Sequence, residues 1–198
     1  MNPRTLQEPS THPSLLERAK RGGDEDWRLL VQVYGPVVYG WIRRCGAQPA
    51  DAADVMQDTF MAVAKSLARF DADQPNATFR GWLWTIAKNK LRDRQRVNSR
   101  YIGTGGEQTE QALEQLAWNN DDAIDPPSSL EDDTRAIRWR MIEALRDSFE
   151  PKTWQMFWAT TIEGRDVQEV ASVMSVSRWT VYKARARVLQ RLQQELKD

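Results

Sequence analysis

The chain has 198 residues, 28 Lys and Arg against 28 Asp and Glu, nine Trp, one His and one Cys, which is enough for one ordinary domain or two small ones. No apolar run approaches the roughly 18 residues of a membrane-spanning helix, and the proline-bearing start MNPRTLQEPSTHPS lacks the apolar segment of a secretory signal. One cysteine and one histidine can build neither a disulfide nor a zinc site, so the expectation is a cytoplasmic protein with no cofactor, no metal, no membrane insertion and a loose tail over residues 1–13.

From Ser14 onward the pattern is helical. Leu15 to Lys20 form a short first helix, and Asp24 caps a second that runs to Arg44, with a break or kink expected at Gly35-Pro36 and a stop at Gly46. In PADAADVMQDTFMAVAKSLARF, Asp51 is the expected N-cap. Ala52, Met56, Phe60, Val63, Leu67 and Phe70 fall on one arc at 100° per residue. The opposite side carries Asp54, Gln57, Asp58, Met61 and Lys65. A methionine set among carboxylates on a polar face suits docking, since Met61 supplies apolar area and the acids meet a basic partner.

After the loop 71–76, TFRGWLWTIAKNKLRDRQRV reads as a helix with Phe79, Leu83, Ile86 and Val97 inward. Trp84, Lys88, Arg92 and Gln95 then point outward, with Thr85 and Arg96 at the edge and Trp82 between the two faces. Indole rings beside cations suit an unstacked nucleic-acid strand, because a base can stack on the ring while Lys and Arg hold phosphate.

Charge changes abruptly at this point. Residues 81–100 hold six basic groups and one acidic, whereas 101–134 hold nine acidic and none basic. Gly103, Gly105 and Gly106 near one end of that stretch and Asp125-Pro126-Pro127-Ser128-Ser129 near the other mark residues 98–134 as a flexible acidic linker between modules at 14–97 and 135–198. Positive charge concentrated in two modules of a neutral chain points to a polyanion, because exposed charges more than about 10 Å apart are largely screened.

In the second module Ile137, Met141 and Leu145 recur every four residues, and Pro151 opens a helix whose stripe is Trp154, Phe157, Trp158 and Ile162. Next comes DVQEVASVMSVSRWTVYKARARVLQRL. Asp166 caps a short helix, a tight turn falls at Ser175-Val176, and Ser177 caps a long basic helix, which together make a helix-turn-helix. Val181, Ala184, Val188 and Leu192 face inward, while Trp179, Lys183, Arg187 and Gln190 face outward, flanked by Arg178 and Tyr182. That outer face has the reach and donors for base edges in the major groove. The fold class expected is all-α, two small helical domains joined by the acidic linker.

DAADVMQDTF (51–60), FRGWLWTIAKNKLRDRQR (79–96) and residues 139–196 together resemble a bacterial RNA polymerase sigma factor of the extracytoplasmic-function (ECF) group. The resemblance implies sigma region 2 over 14–97 and sigma region 4 over 135–198. It implies no catalysis, and it names core RNA polymerase (β′ and β subunits), promoter DNA and an anti-sigma factor as partners. Asp54, Gln57 and Asp58, beside Met61, match the family's contact to the β′ coiled coil. Phe70 to Thr78 with Trp82, Trp84, Lys88, Arg92 and Arg96 match the part that meets and opens the minus-10 element. Arg178, Trp179, Tyr182, Lys183 and Arg187 match the helix that meets the minus-35 element. A conventional helix-turn-helix regulator would explain the second module equally well, but not the Trp and cation face. A nuclease holding Mg²⁺ on Asp51, Asp54 and Asp58 lacks a second source of ligands.

Overall fold

A computed structural model describes residues 14–71, 77–101 and 126–196, so the expected tail and most of the expected linker lie outside the described residues. The described residues hold eight α-helices and no strand: α1 (Leu15–Lys20), α2 (Asp24–Arg44), α3 (Pro49–Ser66), α4 (Phe79–Tyr101), α5 (Leu130–Leu145), α6 (Pro151–Thr161), α7 (Val167–Val173) and α8 (Arg178–Glu195). The all-α expectation holds. None of these helices is long and apolar enough to cross a membrane.

Local chemistry explains most of the ends. Ser14 and Glu17 form a reciprocal capping box at α1, the Ser14 hydroxyl accepting from the Glu17 amide at 3.3 Å and the Glu17 carboxylate accepting from the Ser14 amide at 3.0 Å. Two expectations need correction. The Gly35-Pro36 pair does not break α2, which runs through it and stops at Arg44, just before Gly46. Pro36, and Gln32 whose carbonyl loses its i+4 partner, both lie on the exposed side of that helix. Asp51 is not the N-cap of α3. Gln48 holds that place without a side-chain bond and Pro49 is the first helical residue, where a missing N–H costs nothing.

The chain forms two compact units, residues 31–136 and the residues up to Leu30 together with Ile137 onward. In the first unit α3 packs on α4. The core holds Val38, Trp41, Val55, Phe60, Val63, Phe79 and Leu83, with Tyr34 edge-on to Phe79 at 5.0 Å. Helix extends past both edges of the expected linker: α4 continues to Tyr101 and α5 begins at Leu130.

In the second unit α6, α7 and α1 all pack on α8. Met156, Val170, Ala171, Val181 and Ala184 form the buried cluster that sets α7 against α8. Glu195, in the last turn of α8, is buried. Its carboxylate lies 2.8 Å from Arg18 Nη1 and 2.7 Å from Arg191 Nη2. Burial alone would lower the Arg18 guanidinium, but hydrogen bonds and charge from Asp26 and Glu195 outweigh it and hold the group above its ordinary value.

The turn between α7 and α8 is a Schellman motif. The Val176 amide donates to the Ala171 carbonyl at 2.9 Å and the Ser175 amide donates to the Ser172 carbonyl at 3.2 Å. That motif needs a left-handed residue, and Ser175 adopts φ 53° where glycine is the usual occupant. Left-handed backbone costs a side-chain-bearing residue about 1–2 kcal/mol, partly offset by the greater entropy that glycine loses on folding. Ser175→Gly is therefore expected to raise stability by up to about 1 kcal/mol, and Ser175→Val to lower it. Urea unfolding of the full chain checks the order, and a Val variant as stable as Gly would refute it.

Candidate nucleic-acid interface

The outer face of α8 matches expectation. Ser177 caps the helix, its hydroxyl accepting from the Thr180 amide at 3.1 Å. Val181, Ala184, Val188 and Leu192 are buried, which leaves Arg178, Trp179, Tyr182, Lys183 and Arg187 exposed together. Trp179 is 66% exposed, an unusual state for the largest apolar side chain unless a partner covers it. Lys183 Nζ lies over its indole, 5.4 Å from the ring centroid. Arg185 is half-buried, off this face. A cavity of about 820 Å³ in the same unit takes its lining from α5, α6, α7 and the segment around Glu163 and Arg165, with no residue of α8.

On α4 the expected faces need rotating. Trp84 is only 3% exposed and packs edge-on against Trp41 at 5.7 Å, so it is a core residue and no base can stack on it. Val97, expected inside, is 47% exposed, while Ala87 and Leu91 are buried. The buried set 79, 83, 84, 87 and 91 is centred about 70° from the expected one on a helical wheel. The cause is composition: with two tryptophans in reach, the helix buries Trp84 and keeps Trp82 half-buried.

The accessible side therefore carries Trp82, Thr85, Asn89, Arg92 and Arg96, with Lys88 half-buried beside them. Trp82 is braced by Phe70 at 5.1 Å and Phe79 at 5.7 Å. Burial first, and the neighbouring Arg92 charge second, hold the Lys88 ammonium below its ordinary value. A phosphate placed there would oppose both effects. Asn89 was missed by the sequence reading, although a polar residue one turn from Arg92 is the signal that the wheel was turned too far.

The α3 face is assembled as expected: Asp54, Gln57 and Met61 are exposed and Asp58 is half-buried on the same side, with Met61 at 52%. Arg94 of α4 reaches across to this helix, its guanidinium 3.0 Å from Asp51 Oδ1 and 2.8 Å from Asp54 Oδ2. The hydrogen bond that Arg94 donates to Asp51 chiefly, then the two carboxylate charges, hold Arg94 above its ordinary value. A guanidinium already spans two of the three acids that a Mg²⁺ reading would use.

One cluster at the first turn of α4 had no sequence signal. Asp133, in the first turn of α5, is 4% exposed. Its carboxylate accepts from Arg80 Nε at 2.7 Å, Trp41 Nε1 at 3.0 Å and the Ser128 hydroxyl at 2.6 Å. Arg80 Nη2 donates to the Ser128 carbonyl at 2.7 Å, and Trp41 Nε1 also lies 2.7 Å from the Ser128 hydroxyl oxygen.

Residues 30–101 match the family described as sigma-70 region 2. The chain is 36% identical over 91 residues to RNA polymerase sigma factor NccH of Alcaligenes xylosoxydans xylosoxydans, an alignment that covers 46% of this chain and 47% of that protein. It is 26% identical to RNA polymerase sigma factor CarQ of Myxococcus xanthus over 82% of this chain and 84% of that one. It is 29% identical to ECF RNA polymerase sigma factor SigE of Mycolicibacterium smegmatis, over 96% and 69% respectively.

Proposed function

We infer that the chain is an alternative RNA polymerase sigma factor of the ECF group, and from that the work of each helical face follows. The outer face of α3, with Asp54, Gln57, Asp58 and Met61, docks on the β′ subunit of core polymerase, whose contact must be basic with an apolar centre. The accessible side of α4, with Trp82, Lys88, Arg92 and Arg96, meets the minus-10 element. There Trp82 offers a ring to an unpaired base and the cations clamp phosphate. The outer face of α8, with Arg178, Trp179, Tyr182, Lys183 and Arg187, enters the major groove at the minus-35 element. The protein works in the cytoplasm beside the polymerase, makes and breaks no covalent bond itself, and is restrained by an anti-sigma factor that covers one of these faces.

The observation that carries this reading is Trp179 standing exposed among Arg178, Lys183 and Arg187 on a capped helix-turn-helix. The test is transcription with purified core polymerase of the host on a promoter library. The chain should bind core stoichiometrically and start transcripts at a defined promoter class. Met61→Glu, which removes apolar area and adds a charge that must be desolvated, should weaken core binding by about tenfold or more. A chain that binds duplex DNA tightly alone, yet neither binds core nor starts transcripts, is a conventional helix-turn-helix regulator instead.

A further inference from the structure

Asp133 comes from the stretch that composition marks as linker, yet it sits buried against the first turn of α4. A carboxylate this far from water requires strong partners, and it has three donors: the Arg80 guanidinium, the Trp41 indole and the Ser128 hydroxyl. Ser128 uses its hydroxyl both ways, donating to Asp133 and accepting from Trp41. Trp41 is fully buried in α2. The Arg80 guanidinium lies 5.8 Å from its ring centroid, and the same indole packs against Trp84, one turn after Arg80. Arg80, Trp84, Lys88 and Arg92 follow one another at four-residue steps along α4. The N-terminal end of α4 is thus tied to Asp133 directly through Arg80 and at one remove through Trp84, which packs on the Trp41 indole.

We propose that Asp133, supported by Ser128, is a positioning residue for strand opening. It sets the rotation of α4 and so aims Trp82, Lys88 and Arg92 at the DNA, a role that rests on the reading of α4 as the helix that meets the minus-10 element. Each four-residue step adds about 40° of turn on the helix surface, an offset that the intrahelical hydrogen bonds hold fixed, so a small rotation at the anchored end carries the row of cations with it. Asp133 touches no DNA in this role. It acts through Arg80 and Trp41.

Holoenzyme assembled from the full chain and core polymerase supplies the test, on a duplex promoter and on the same promoter already unpaired across the minus-10 element. D133N keeps the shape and loses the charge that orients Arg80, and S128A removes only the hydroxyl. Both should bind core as the parent does, open the duplex about tenfold more slowly, the effect of one hydrogen bond to a charged group, and initiate at the parental rate on the unpaired promoter. S128A decides if D133N does not fold. Opening of the duplex at the parental rate overturns the proposal. So does a parallel loss of core binding, which would mean that the bonds hold the fold rather than aim a helix. K88A with R92A separates the underlying reading: if that pair opens duplex normally, α4 is not the opening helix, whatever Asp133 does.

Discussion

Replacing Lys183 and Arg187 together with glutamate is expected to reduce occupancy of a minus-35 element roughly a hundredfold or more, with core binding unchanged. Each side chain is exposed on the outer face of α8, where a base-edge or phosphate contact contributes about 1–3 kcal/mol. The reversal removes two such contacts and adds repulsion from phosphate. Salt supplies the internal check. Each lost phosphate contact lowers the slope of log affinity against log salt by about one, so the double variant should be less salt-sensitive by about two units. Filter binding of the holoenzyme across a salt series measures both quantities. Weaker binding with an unchanged slope would mean that these groups never met phosphate.

Glu195→Ala is expected to produce the largest loss of stability among single changes outside the apolar core. The carboxylate is buried against two guanidiniums. Removing one member of a buried ionic group usually costs about 3–5 kcal/mol. Arg18 and Arg191 keep part of their surface in water and recover some solvation, which brings the expected cost to about 2–3 kcal/mol. Arg18→Ala should cost less, because Glu195 retains Arg191. Denaturant unfolding ranks the two, and an Arg18 variant that is the less stable of the pair contradicts this account.

The helix-turn-helix was legible because its signals are local. Asp166 and Ser177 cap their helices as their side chains dictate, and the inward set Val181, Ala184, Val188 and Leu192 follows one period without interruption. The serine in the left-handed turn could be located too, since the spacing of two caps leaves one place for it. On α4 the same method failed by about 70°, because tryptophans at 82 and 84 offer two solutions and the choice depends on Trp41 from another helix. Asp51 shows a similar limit: its type and place suit a cap, but Pro49 starts the helix earlier and Arg94 claims the carboxylate. Asp133 and Glu195 were illegible for a stronger reason. Each has a partner far along the chain, Arg80 53 positions from Asp133 and Arg18 177 from Glu195, and an acid in an acidic stretch, or in a last helical turn, looks like a solvated one.

The ammonium of Lys183 resting on the Trp179 indole makes these two side chains answer as one. If α8 enters the major groove as proposed, a phosphate oxygen that draws the ammonium away strips the ring of its cover at the moment when the groove can offer thymine methyl groups in exchange. On that reading mutational effects at the two positions will not sum, and a drift in base preference introduced at the indole should bring with it a change in how firmly the helix holds the sugar-phosphate rail.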